Sequence, residues 1–393
     1  MKILIEFYDR STLKNLVAAL GICPDIIKYF YDPNVFPYRE IYSTYSACKK
    51  YIPNLSYEVG MINSHDYENI TEALTSYIQN FNGDEIFIDL TGGSELTVIA
   101  AYDAAMHSGC HVYFTDISKN SIINLRTKKE QYRSMPFDIE DMIDASGGRL
   151  IGCTDSGFLK DNRSSLYNMA YYILNHNTNW LKTCQYFQKH NVRLRQNKTL
   201  HFRAPREQHK NDPKTLPDMD FLYELSHQRL ITHLSENTKE ISFDYKNSTI
   251  IDNVSSFGVW LELYTYYQVI DISQLHDVHT SIKIDWNAHD QIEIIGNEID
   301  VTAMYGCRPV IISCKQSKSP IGAEVLNELY VVSRRIGGKY AIPILVTMSS
   351  MKTKHLGIYL KAKEMGIHML DVHDILSDNY KTKLKRIITG QDN

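Results

Sequence analysis

In NEIDVTAMYGCRPVIISCKQ, residues 297–316, an aspartate and a lysine stand on either side of a glycine-containing turn. If 306–309 form a four-residue hairpin loop, Tyr305 pairs with Val310, and Asp300 falls directly opposite Lys315. Strand alternation sets Ser313 and Lys315 on one face, with Ile312 and Cys314 on the other. A carboxylate facing an ammonium from the adjacent strand suits metal-dependent hydrolysis. The carboxylate holds a hard divalent cation, which lowers the pKa of a bound water, while the lysine orients that water and steadies charge on the phosphate. The same two residues also describe a half-buried cross-strand ion pair.

Two further signals lie upstream. FGVWLELY, 257–264, puts Glu262 in an apolar helical run beside Trp260 and Leu261. A glutamate so placed is at least partly buried, and a buried carboxylate is costly unless paired or bound to metal. DLTGGSE, 89–95, falls where a strand becomes a helix. A glycine turn opening a helix offers free N–H groups and the positive end of the helix dipole, which attract phosphate. Thr91 and Ser94 can add donors or cap the helix. Taken alone the loop also reads as a capped turn, because neither GxGxxG nor GK[ST] is complete.

The elements that must carry these residues follow from periodicity. MKILIEFY, YEVGMI, DEIFIDL and HVYFTDI read as strands. Between them STLKNLVAAL, capped by Ser11 or Thr12, and then TEALTSYIQNF and ELTVIAAYDAAMH read as helices. Such alternation implies a doubly wound parallel sheet, with ligands beyond the carboxyl ends of its strands. LYNMAYYILNH and FLYELSHQRLITHL read as helical. The stretch 181–214 between them holds nine Lys or Arg against two acids, with three histidines and interleaved aromatics. That run is either a nucleic-acid surface or a solvated connector. Farther on come a helix over 257–270, strands IEII, EIDVTAMY and VIISCKQ, a helix over 321–335, a glycine break at 337–338 and the strand AIPILVT.

The chain has 393 residues, enough for two or three domains, and a net charge of -4, so any nucleic-acid surface is a local patch. Seven cysteines without a CxxC pair fit reduced thiols. The amino terminus is too short an apolar run for a signal peptide, and no apolar stretch is long enough to span a membrane. A cytoplasmic protein is expected. Most of its 27 tyrosines should pack, and some are available to stack on bases.

FGxWLE, then NEIDV, then a strand ending in xxK before a helix, together resemble the core of the PD-(D/E)XK nucleases. The resemblance implies that Glu262 is the helical acid, Asp300 the principal metal ligand and Lys315 the catalytic lysine, with Glu262 and Asp300 holding Mn²⁺ or Mg²⁺. Many members carry an acid where this chain has Ser313, a weak neutral ligand. Glu324 and Glu328, a helical turn apart, are the acids available to compensate. Gln316 is placed to hydrogen-bond a phosphate or the attacking water. D-x-T-G-G-[ST] in a Rossmann-like domain joined to that core resembles the CARF-domain nucleases of type III CRISPR defence. Within that family the match is to the group activated by cyclic tetra-adenylate, which degrades DNA and, in some members, RNA.

That resemblance implies a homodimer with one ring lying across its two-fold axis. Asp89 opens the loop in which Thr91, Gly92, Gly93 and Ser94 hold ribose and phosphate. Phe7, Tyr8, Asp9, Arg10 and Ser11 form a first-strand loop touching adenine. Glu95 stands where relatives often have lysine, so either it points away, or it accepts from an adenine amino group, or the ligand differs from the family's, and Arg10 is placed to supply the missing charge. The implied fold class is α/β. It comprises a CARF sensing domain over 1–148, a helical, locally basic connector over 149–240 and a PD-(D/E)XK (restriction-endonuclease-like) domain over 241–393. The implied function is an allosteric, metal-dependent endonuclease acting on single-stranded or supercoiled DNA and on RNA, away from membranes. Two other readings stand beside it. One is a metal-independent HEPN-type ribonuclease, since RQNKTLH (195–201) and RAPREQH (203–209) match R-x(4–6)-H. The other, motivated by Ser313, is a catalytically inactive, ligand-responsive nucleic-acid-binding regulator.

Overall fold

KILIEF at Lys2–Phe7 (β1) is buried at five of its six positions, as expected of a strand covered on both faces. It is followed by α1 (Leu13–Ile22), β2 (Ile26–Tyr31), α2 (Tyr38–Tyr51), β3 (Ser56–Met61) and α3 (Tyr67–Gln79). Then come β4 (Glu85–Asp89), α4 (Glu95–His107), β5 (His111–Asp116), β6 (Ser121–Asn124), β7 (Lys129–Tyr132) and α5 (Ile139–Ala145). In the computed structural model, which describes residues 1–81, 83–206, 216–287, 296–317 and 321–390, these strands form one sheet of order β3-β2-β1-β4-β5-β6-β7. The first five run parallel and the last two return antiparallel. Ile3, Ile5 and Phe7 face a core built with α3 and α4, whereas Leu4 faces one built with α1 and α2. This is the doubly wound arrangement expected from the alternation, with β2 and α2 added.

The second half comprises β8 (Arg149–Gly152), α6 (Ser156–Asp161), α7 (Arg163–Asn175), α8 (Asn177–Asn197), β9 (His201–Pro205) and α9 (Met219–His227). It continues with β10 (Ile231–Glu236), β11 (Glu240–Tyr245), α10 (Ser248–Ser255), α11 (Val259–Ile270), β12 (His276–Asp285) and β13 (Asn297–Tyr305). Last come β14 (Arg308–Lys315), α12 (Ala323–Gly337), β15 (Ile342–Thr347) and β16 (His368–Leu370), with short helices after β15. A six-stranded sheet has the order β16-β15-β14-β13-β12-β8, and a small one the order β10-β11-β9.

Residues 149–240, expected as a connector, give β8 to the larger sheet and pack closely against α11. Trp180, Phe187, Phe202, Phe243 and Trp260 share one core, with the two indoles edge to face at 6.0 Å. The helix expected through FLYELSHQRLITHL stops at His227 instead. Arg229 turns left-handed (φ 56°), the Leu230 N–H donates back to the Leu225 carbonyl at 2.9 Å, and a strand begins at Ile231. The IEII segment, 292–295, lies outside the described residues. The core around Leu4, Ile41 and Met142 runs on into Ile282, Ile311, Leu326 and Leu345, so the two large sheets share apolar packing.

Candidate active site

β13 and β14 meet in a tighter turn than the four-residue loop expected. Tyr305 pairs with Arg308, leaving Gly306 and Cys307 as a two-residue loop with Gly306 at φ 57°. A glycine with positive φ at the first central position matches the twist of a hairpin. The register is therefore shifted by two residues, and two is a whole period of the strand. Extending the pairs Val301–Ile312 and Thr302–Ile311 sets Asp300 across from Ser313 and Glu298 across from Lys315. Asp300, Ser313 and Lys315 keep a common face, although Lys315 is not directly opposite Asp300.

Asp300 is partly buried. Its Oδ2 accepts from the Cys314 N–H at 2.6 Å and from the Ser313 hydroxyl at 3.3 Å. Burial raises its pKa, opposed by the Cys314 N–H, by the Lys315 ammonium and by Ser313. Glu262 reaches the same spot from α11. Its pKa is pushed up to about 8, first by burial and then by the charges of Asp300 and Glu298, with Lys315 and Ser281 working in the other direction. Asp300 and Glu298 both raise Glu262, and Glu298 raises Asp300, so acids gather beside one lysine in a site with much negative charge for its degree of burial. With its pKa near 8, Glu262 relieves that charge by keeping a proton at neutral pH, and a divalent cation would relieve it by displacing that proton.

Hard carboxylate oxygens on one open cleft fit Mg²⁺ or Mn²⁺. Among the described residues no three His, Cys, Asp or Glu side chains form a ready-made cage, so water would have to complete the coordination. The cleft itself, about 40 Å³, is lined by Glu298, Asp300, Ser313, Lys315 and Glu328, with Val325, Leu329 and Val332 of α12 as its apolar wall. Glu328 thus reaches the cleft. Glu324 does not: its carboxylate folds back over Gly322, where an added Cβ would lie 2.0 Å from it. Glu298, two residues before Asp300, was missed in the sequence, and it lines the same cleft. A roomier cavity of about 540 Å³ lies among Gln79, Asp84, His107 and His111, away from these residues.

Gln316 departs from expectation. It is buried, its Oε1 accepts from the Leu261 N–H at 3.2 Å, and its Nε2 donates to Asn177 at 3.0 Å. The amide faces α11 and α8 instead of the cleft, and the Leu261 N–H at the start of α11 is shared between it and the Gly258 carbonyl at 3.1 Å. It ties the end of β14 to the residue before Glu262. The basic stretch also divides. Lys182 and Arg193 are exposed on α8, whereas Arg195 pairs with Asp252, Arg203 with Glu240 and Arg206 with Glu236. His201 bonds Asp244 at 2.8 Å, so neither Arg195 nor Arg203 is joined to it, and His209 lies outside the described residues.

The glycine loop is built from below. Asp89 is buried, and its Oδ1 accepts from the hydroxyls of Thr91 (2.6 Å) and Thr115 (3.3 Å). Burial raises its pKa to about 7, opposed by those hydroxyls. The Thr91 hydroxyl also accepts from the Thr115 N–H at 2.7 Å, so that side chain braces the loop from within. Gly92 passes so close to β1 that a Cβ would lie 2.1 Å from the Phe7 carbonyl oxygen, and Gly93 has φ 90°. Ser94 caps α4 by accepting from the Thr97 N–H at 3.2 Å, and Glu95 is exposed.

In the facing loop, Asp9 accepts from the Ser11 N–H at 2.8 Å and from Lys14 at 2.6 Å, while Arg10 lies over the Phe36 ring and donates to the Val35 carbonyl at 3.2 Å. Phe7 and Tyr8 do not present their rings to a ligand. Phe7 stacks on Phe30 and Tyr8 packs on Tyr29 and Phe36, because residues at the end of a central strand still lie under the helices. Ser11 is also elsewhere than expected: it packs against Gly338 at the end of α12, where a Cβ would meet its Oγ at 2.6 Å.

Residues 254–387 match the family described as Card1-like, endonuclease domain. No curated protein matches the chain in sequence. Among solved structures, the chain is similar to protein VC1899 from Vibrio cholerae, with a TM-score of 0.77 and 15% identity over 100% of this chain and 99% of that one. It is also similar to Can2 from Sulfobacillus thermosulfidooxidans, solved in complex with cyclic tetra-adenylate, with a TM-score of 0.70 and 14% identity over 99% of each chain. At these identities the likeness is one of fold, and it extends over both α/β halves.

Proposed function

We propose that this chain, whose residues 254–387 match a Card1-like endonuclease domain, is a metal-dependent nuclease of CRISPR defence switched on by cyclic tetra-adenylate. The observation that carries the reading is that Asp300 and Lys315 line one cleft and that Glu262, on α11, feels the charges of both. Asp300 and Glu262 would hold Mn²⁺ or Mg²⁺, which when bound lowers the pKa of a coordinated water and offsets charge on the phosphate. Lys315 orients the water and neutralises the developing phosphorane charge. Ser313 and the Cys314 N–H hold one oxygen of Asp300, so the other faces the cleft. Gln316 fixes the start of α11 and through it the height of Glu262.

In this reading residues 1–148 sense the ring, 149–240 brace the nuclease core and offer the α8 lysine and arginine to a nucleic-acid backbone, and 241–393 cut. Two copies pair so that one ring contacts two glycine loops, with the N–H groups around Gly92, Gly93 and Ser94 on its phosphates and Arg10 beside them. The contact between Ser11 and Gly338, together with the shared apolar packing, gives the sensor a direct hold on α12, the helix that walls the cleft. A ring that binds the closed arrangement more tightly than the open one shifts the population toward cutting. The protein acts in the cytoplasm on DNA and, as a second substrate, RNA.

The test is cleavage of supercoiled DNA, single-stranded DNA and RNA with Mn²⁺, with and without cyclic tetra-adenylate. Cutting that needs both the ring and the cation is expected, and EDTA abolishes it. Ring-dependent binding that leaves every substrate intact would replace this reading with an inactive regulator. Cutting that survives EDTA would replace it with metal-free ribonuclease chemistry.

A further inference from the structure

β12, a strand with no counterpart in the sequence reading, passes beside the cleft and breaks the ordinary rules of a strand at one residue. Thr280 pairs with Val301 and Ile282 with Ile299, so Ser281 lies directly across from Asp300. Ser281 has φ 55°, a left-handed backbone that a serine in the middle of a strand does not adopt without strain. Its neighbours are pinned on both sides. The Thr280 hydroxyl donates to the Asp300 carbonyl at 2.7 Å, the Thr280 carbonyl accepts from the Thr154 N–H at 3.0 Å, and Ile282 is fully buried. The partner strand is irregular at the same level. Ile299 and Val301, two apart, would share a face in a regular strand, yet they pack into different cores, so β13 turns over at Asp300.

The left-handed turn re-aims the Ser281 side chain. In extended backbone it would alternate strictly with Thr280 and Ile282. As folded, its Oγ lies 3.5 Å from Glu262 Oε2, and among the described residues it is the one hydrogen-bond donor to that carboxylate. That contact lies at the long end of hydrogen-bond range. Glycine is the residue that a left-handed position ordinarily takes. A serine held there at a cost, with its hydroxyl on a cleft carboxylate, suggests that the hydroxyl is used.

We propose that Ser281 is a positioning residue of the nuclease centre, holding the Glu262 carboxylate beside Asp300 in the orientation a divalent cation requires. The inference rests on the reading of Glu262, Asp300 and Lys315 as that centre.

Ser281→Ala removes the hydroxyl and keeps the strain, whereas Ser281→Gly removes both. The first readout needs no activity: the Mn²⁺ concentration that half-saturates thermal stabilisation of the full chain, without ring or nucleic acid. Both variants should need about tenfold more Mn²⁺. With cyclic tetra-adenylate present, both should lose a comparable factor in kcat with little change in KM, while Ser281→Gly melts above Ser281→Ala. A purely structural role separates the two variants, with the glycine variant matching the unmodified chain in Mn²⁺ midpoint and kcat, and that result would overturn the proposal alone. If Ser281→Ala does not fold, the glycine variant still decides. An unmodified chain that neither gains stability from Mn²⁺ nor cuts any substrate overturns the nuclease reading and this inference with it.

Discussion

Asp89 and Asp300 are both strand carboxylates that burial pushes above their usual range, yet their surroundings differ in kind. Asp89 sits beneath the glycine loop with hydroxyls from Thr91 and Thr115 turned onto it, and its work is internal: it fixes the path of a loop whose backbone faces outward. Asp300 has one oxygen held by Cys314 and Ser313 and shares its cleft with a second carboxylate and a lysine. Asp89 also has an acid beside it, since its charge raises Glu6, but both of those are buried, whereas Asp300 lines an open cleft with a lysine, where a cation can enter.

The largest effects should separate the two regions. Lys315→Ala or Asp300→Asn is expected to lower cleavage by at least about a hundredfold while calorimetry finds ring binding unchanged. Ring affinity that falls in parallel would erase the distinction. The converse change is Gly92→Ala. A Cβ there lies 2.1 Å from the Phe7 carbonyl oxygen, so the loop must move off β1. Ring affinity should fall about tenfold or more, read by titration calorimetry, with the Mn²⁺ midpoint of thermal stabilisation unaltered.

A smaller effect probes the joint. Gly338→Ala places a Cβ 2.6 Å from Ser11 Oγ at a residue with φ 57°. Ring affinity should hold within about twofold, while the ring-stimulated rate drops severalfold, because the sensor binds but its hold on α12 is displaced. Equal losses in binding and rate would mean that the contact is only packing.

The smallest effect is in pH. Glu262 is raised from 4.5 to about 8, and Glu6, Asp89 and Asp300 are raised as well. A carboxyl with a raised folded pKa is protonated in the folded state where the unfolded chain has already ionised, so its contribution to stability is full below the unfolded value and lost as pH rises. Melting temperature in EDTA should therefore decline between pH 4.5 and about 8. Mn²⁺ should restore the Glu262 and Asp300 share, and Asp89→Asn should remove the Asp89 share without any response to Mn²⁺. A decline that Mn²⁺ leaves untouched would put the whole dependence in the sensor.

Much of this was legible beforehand where one period or one motif sufficed. α4 begins and ends where ELTVIAAYDAAMH does, and the alternation of strands and helices yields the doubly wound sheet. The hairpin register was off by two, yet the common face of Asp300, Ser313 and Lys315 survived because two is the strand period. What was not legible depended on distant partners. Gln316 follows the lysine in sequence, but its direction was set by the N–H of Leu261 and the amide of Asn177. Phe7 and Tyr8 look like a ligand-facing loop until Phe7 is buried in the core of α3 and α4 and Tyr8 in that of α1 and α2. β12 carries too irregular an alternation to stand out, with left-handed residues at Asp277 and Ser281.

By itself the sequence determined what is local and periodic: the apolar faces of its helices and strands, the glycines without which two turns would clash, and the acids and lysine that give the carboxy-terminal half its chemistry. Tertiary structure alone decided which of these charges share a cleft, which aromatic rings are withdrawn from solvent, and that Ser11 of the first half meets Gly338 of the second. Those outcomes rest on contacts between residues far apart in the chain, and no local pattern encodes the direction from which a partner arrives.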